Sequence, residues 1–114
     1  MILHAGVILA LVLCTGALGG AVRYLLARLP GGLTGTWLAN ILGSFAAGLA
    51  FGLDGLAHTV LAAGFAGAVS TLSTLAQELG GLIKHRHFLR FAYYLVVTIA
   101  GGLVFAELGL VLSA

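Results

Sequence analysis

The chain is predicted to be an all-α membrane protein of four transmembrane helices, the third of them broken. Three observations predict this. Hydrophobic residues fill 61% of the 114 positions and charged residues 7%, and the five Lys/Arg and three Asp/Glu are too few to cover a water-soluble domain; mean hydropathy is +1.20. The apolar residues fall into four runs, each near the ~20 residues that cross a bilayer as a helix. Within the third run, Gly64 and Gly67 are followed by Ser70, Thr71, Ser73 and Thr74. That is poor material for a lipid-facing helix, because backbone groups freed in hydrocarbon are costly unless protein or water meets them. A break at membrane depth marks an ion or substrate site.

The runs are placed at about 2–26, 34–53, 56–83 and 91–112 within a single domain, 1–114, with the third broken near 67–74. The connections are short: 27–33, which holds the only proline, then Asp54-Gly55, then the basic stretch 84–90. The first run is longer than the apolar part of a secretory leader and has no basic residues before it, so it is expected to remain as a helix. It holds the single cysteine, Cys14, which has no partner in the chain for a disulfide and is expected to be a packing residue. Gly16 and Gly20 form a GxxxG spacing with Gly19 beside them, a close-approach seam for another helix. Arg23, late in the same run, either snorkels to the interface or makes an electropositive mouth for anions.

In the second run Thr36, Asn40, Gly43, Ser44, Ala47 and Gly48 recur at three- and four-residue steps and share a face. The Asn40 amide supplies two donors that can face an anion, or it bonds a neighbouring helix. Thr36 and Ser44 extend the donor line one turn each way. In the third run Glu78 requires a wet vestibule, a basic partner or a hydroxyl. In the fourth, Tyr94 and Thr98 stand one turn apart as a continuing polar track, whereas Tyr93 points elsewhere and suits the aromatic belt. His85 and His87, in the basic loop, lack the further ligands of a metal site. Together with His4 and His58 they are expected to be solvated interface residues. Four short helices enclose little, so a closed pore calls for more than one subunit.

Charge sets the orientation. Arg23, Arg28, Lys84, Arg86 and Arg90 fall at one membrane face, while Asp54 and Glu107 fall towards the other. The positive-inside rule then puts both termini outside, in a multi-pass protein of the cell membrane. The basic residues sit beside membrane segments, so nucleic acid is not the expected partner. No Ser-His-Asp grouping, HExxH, paired CxxC or phosphate loop occurs, so enzymatic chemistry is not expected.

Three motifs carry a resemblance. Gly19-Gly20-Ala21-Val22-Arg23-Tyr24 is similar to a GGxxRY helix end, and Gly35-Thr36-Trp37-Leu38-Ala39-Asn40-Ile41-Leu42-Gly43-Ser44-Phe45 to GTxxxNxxGSF. The stretch 64–75 is similar to GFxGGxTTFSTF, with Glu78 following at matching spacing. In this order the chain resembles the Fluc (CrcB) family of fluoride channels over nearly its whole length. The resemblance implies an antiparallel, dual-topology dimer of four-helix subunits with two anion pores, fluoride as the ion exported passively, and a structural Na⁺ at the dimer centre. It implies that the backbone carbonyls of Gly67 and Ser70 hold that Na⁺, and that Asn40 donates to fluoride. Thr36, Ser44, Ser73, Thr74, Tyr94 and Thr98 are the other polar residues expected on the fluoride path, with Arg23 and Glu78 at its vestibule.

The chain departs from the pattern where two family phenylalanines line the ion path, for Leu72 and Leu75 stand there. Leucine offers an anion no positive ring edge. The Lys/Arg bias also disfavours inserting one chain both ways. Together these predict a heterodimer with a homologous subunit of opposite topology that supplies the phenylalanines, with a homodimer as the alternative. Two other functions compete. One is a non-conducting structural subunit; the other is a small multidrug exporter, which needs a membrane-embedded carboxylate in its first helix, where this chain has none.

Overall fold

The computed structural model describes residues 2–69 and 72–113, excepting the side chains of Leu72 and Ser73. Helix α1 is Ile2–Leu26 and α2 is Gly32–Phe51. Between them, at Ala27–Gly31, the helical path is broken. Leu29, which precedes Pro30, is extended at φ −140°, ψ 108°, as the clash with a following proline ring requires. Gly31 and Gly32 then turn the chain at φ 73° and 59°, values that glycine adopts without a Cβ clash. The two arms fold back so closely that a Cβ on Gly35 would strike the Leu26 carbonyl.

After a turn at 52–54 comes the short α3, Gly55–Thr59. The chain then departs from α geometry over Val60–Ala66, where the hydrogen bonds lengthen to π type and the Gly67 N–H reaches back to the Ala62 carbonyl. The described departure thus begins well before Ser70. Thr15 Oγ1 of α1 lies 3.2 Å from the Val60 carbonyl and 2.9 Å from that of Leu11 in its own helix, so its one proton is shared between its own turn and the start of the altered stretch. A single turn, α4 (Gly67–Val69), and then α5 (Leu72–Lys84) follow. The α5 end is closed by the His87 N–H to Leu82 O and the Arg86 N–H to Ile83 O, with Arg86 at φ 59°. This is the αL helix stop usually made by glycine. Helix α6 is Phe88–Ser113.

The stretches 2–51, 55–84 and 88–113 are each long and apolar enough to cross a membrane. The first is divided by its break into arms of 25 and 20 residues, so each arm alone is about 30 Å or longer. The molecule is 54 Å along its long axis.

Direction follows from register. Trp37 packs at Gly101, Gly48 at Ala106 and Gly52 at Ser113, so α2 and α6 run parallel. Gly16 packs at Gly64 and Gly19 at Ala68 and Val69, so α1 runs parallel to the α3–α4 stretch. Within the subunit, α1 meets this stretch through Gly16 and Gly19. A Cβ on Gly19 would come 2.7 Å from the Phe65 carbonyl, whereas one on Gly20 would have no described atom within 4 Å.

The core is built from small residues, Ala39, Ala46, Ala50 and Ala66 among them, and Val69 is the largest fully buried side chain among the described residues. Leucines and valines of α1 and α6 point outward. In lipid there is no gain in burying them against each other, so close backbone approach between small residues drives packing instead. Trp37 Nε1 ties the α2–α6 seam by donating to the Val97 carbonyl at 2.9 Å.

Candidate functional site: a hydroxyl-lined vestibule

Helices α1, α2 and α5 converge on an open cavity of about 370 Å³ lined by Gly20, Arg23, Tyr24, Ala27, Gly35, Thr36, Ala39 and Thr74. At α1 it borders Gly20, whose missing side chain leaves room that no described residue fills. Arg23 is exposed at this cavity, so its guanidinium adds positive potential to a recess whose other described walls carry hydroxyls but no second charge. The Thr36 side chain is buried, and its hydroxyl also bonds back to the Gly32 carbonyl at 3.4 Å. Thr74, half-buried, faces it from α5.

Next to this cavity, the Tyr94 hydroxyl of α6 donates to Glu78 Oε1 of α5 at 2.8 Å. Of the three environments that Glu78 required, the described one is a hydroxyl. Tyr94 is 4% exposed and Tyr93 70%, so adjacent tyrosines divide between interior and outer face. Thr36 approaches the same phenol from α2. Residues of α2, α5 and α6 thus meet in one polar cluster behind the Arg23 mouth.

One turn along α2, Asn40 is half-buried with its amide nitrogen inside the protein. Ser44, a turn further, packs at Gly102 of α6, where a Cβ would lie 3.4 Å from its hydroxyl. Thr98 Oγ1 is buried, with no hydrogen-bond partner among the described residues. Leu75 is half-buried and Gly67 exposed. Ser70, and the side chains of Leu72 and Ser73, lie outside the described residues. The cavity joins Arg23, Thr36 and Thr74; the hydrogen bond joins Glu78 and Tyr94; Asn40, Ser44 and Thr98 lie further along the α2–α6 seam.

Hydroxyl and amide donors behind a cationic rim suit a small anion that must exchange water for protein donors. No group of three His, Cys, Asp or Glu stands together among the described residues, and the His85 and His87 rings are 6.4 Å apart. A model of the family described as CrcB-like protein, Camphor Resistance (CrcB), matches residues 10–110. The chain belongs to the CrcB family. Its similar proteins include "Fluoride-specific ion channel FluC 2" of Corynebacterium diphtheriae, 40% identical over 94 residues, which cover 82% of this chain and 89% of that one. "Fluoride-specific ion channel FluC" of Leptospira interrogans is 33% identical over 114 residues, covering 89% and 90%. "Fluoride-specific ion channel FluC 2" of Bifidobacterium longum is 39% identical over 121 residues, covering 94% and 67%. The CrcB match spans every candidate residue, from Arg23 to Thr98.

Three side chains took roles in this CrcB chain that sequence reasoning did not give them. Thr15 and Trp37 bond backbone carbonyls across helix pairs. His58, expected to be solvated, places Nδ1 2.6 Å from the Ala50 carbonyl. That carbonyl, in the last turn of α2, also accepts from the Leu53 N–H at 3.0 Å, so His58 shares an acceptor at the helix end. A polar side chain near a helix end is the signal that pointed to it.

Proposed function

We propose that the chain is one subunit of a fluoride channel of the cell membrane, through which F⁻ leaves the cytoplasm passively, lowering fluoride toxicity. The observation that carries this reading is the Arg23-rimmed cavity with Thr36 and Thr74 on its walls, in a chain similar to proteins named fluoride-specific channels. Fluoride is small and strongly hydrated, so its path must offer dense donors. Asn40, Ser44 and Thr98 extend that supply past the vestibule, and Ser73 is assigned to it by the motif alone. Tyr94, whose one proton is held by Glu78 in this subunit, serves the path by way of that pair. The family is one of channels, and the reading assigns the chain transport and no catalytic step.

The chain crosses the membrane four times in this reading, with both termini outside as its arginine and lysine distribution favours. Its second subunit is a homologue of opposite charge bias, inserted the other way up. The exposed apolar faces of α1 and α6 support burial against lipid and such a partner. Between the subunits the carbonyls of Gly67 and Ser70 hold a Na⁺, hard oxygen donors suiting a hard cation. Gly67 suits this role because it is exposed in this subunit.

The test is fluoride efflux from liposomes holding this chain with a homologous partner. Efflux above protein-free liposomes is expected, and its absence overturns the reading. Asn40→Ala, by removing an interior donor, is expected to lower flux roughly tenfold or more. Leu72 and Leu75 favour a second reading, a structural subunit that conducts nothing. Flux that ignores Asn40→Ala decides for it.

A further inference from the structure

Away from the ion path, the basic end of α6 carries a second recess. Arg86, His87, Phe88, Leu89, Arg90 and Tyr93 line a cavity of about 690 Å³. Arg90 and Tyr93 also border its neighbour, of about 350 Å³, whose far wall includes Leu33, Trp37 and Val97. Trp37 in turn opens an apolar groove of about 470 Å³ between α2 and α6, walled by Ile41, Phe45 and Phe105 among others. Shared residues join the three, so one surface runs from two arginines to the middle of the α2–α6 seam.

The order of chemistry along this surface is charged, then amphipathic, then apolar. Exposed Tyr93 marks the level where headgroups meet hydrocarbon. Neither guanidinium is paired with a carboxylate among the described residues. Arg86 occupies a left-handed turn position that glycine fills more easily, so turn geometry does not account for the charge there. We propose that this groove holds one anionic phospholipid, its phosphate between Arg86 and Arg90 and an acyl chain lying past Trp37 between α2 and α6. Arginine forks match phosphate oxygens, and basic recesses between membrane helices select acidic headgroups. A lipid brings a charge and a tail in the order the groove offers them. A protein face laid there must instead neutralise both arginines at the rim and fill an apolar slot.

Trp37 is the only tryptophan in the chain and lies at the junction of two recesses, so it reports the occupant. The full chain is reconstituted in phosphatidylcholine vesicles containing a fixed fraction of lipid with brominated acyl chains, either phosphatidylglycerol or phosphatidylcholine. Brominated phosphatidylglycerol is expected to quench Trp37 more, with a relative association constant of about fivefold or more, given the pull of each surface arginine on acidic lipid. Salt reduces the ratio. Arg86→Gln/Arg90→Gln brings it to one, and Lys84→Gln, outside the groove, leaves it unchanged. Equal quenching by the two lipids overturns the proposal. So does an excess that survives the double variant, or one that Lys84→Gln abolishes equally, which means general surface attraction. No quenching by either lipid means that protein covers Trp37, and overturns it too.

Discussion

Replacing Gly48 by alanine tests whether backbone contact holds α2 to α6. A Cβ there would strike the Ala106 carbonyl oxygen and lie 2.9 Å from its carbon and 3.1 Å from the Ala106 Cα. Ordinary carbon separations are ~3.5–4.0 Å, so α6 must withdraw by roughly 1 Å, and no side-chain rotation relieves it. Withdrawal loosens the rest of the seam, where Gly109 packs on the Phe45 carbonyl and Gly101 on Trp37. Overpacking of this kind costs about 1–3 kcal/mol, and a backbone obstacle places it in the upper half. Alanine regains about 1 kcal/mol of helix propensity over glycine. The net is destabilisation by about 1–2 kcal/mol. Gly80→Ala, on α5 with no described atom within 4 Å of its Cβ position, keeps only the propensity gain, so the two substitutions have opposite signs. Thermal denaturation in detergent micelles, read as loss of the monodisperse species, compares them directly. A Gly48→Ala chain as stable as Gly80→Ala refutes the close-contact account.

Other perturbations follow from the same geometry. Tyr94→Phe removes the donor from half-buried Glu78 and is expected to destabilise the chain by about 1–3 kcal/mol; the companion variant Glu78→Gln, which retains an acceptor oxygen, costs less in the same assay. Arg23→Gln lowers the potential at the vestibule, so fluoride flux falls several-fold at low ionic strength, and the deficit shrinks as salt screens the charge; a deficit independent of salt contradicts an electrostatic role. If Na⁺ is bound between subunits, exchanging it for a large organic cation lowers the melting temperature of the reconstituted complex by mass action, and an unchanged midpoint argues against the site.

The helical membrane class was legible because it rests on composition and run length, which neighbours do not alter. So was the need of Glu78 for a partner, since a carboxylate at that depth is costly wherever the helices lie. The division of Tyr93 from Tyr94 followed from the 100° step of a helix, and the family from three motifs in order. Which α1 glycines face the neighbouring stretch within the subunit, Gly16 and Gly19, was not legible, because the small residues there repeat at both three and four steps. His58 was misread because its acceptor belongs to the preceding helix.

Sequence by itself therefore determined the solvent this chain folds in, its family and the inventory of donors, properties set by side-chain chemistry and local period. Only the tertiary structure decided that Arg23, Thr36 and Thr74 share a cavity and that Glu78 meets Tyr94. It also decided that α2 packs parallel to α6 through glycine and alanine. Those outcomes depend on which helix faces touch, and where almost every face is apolar, pattern cannot rank them; backbone approach at small residues does.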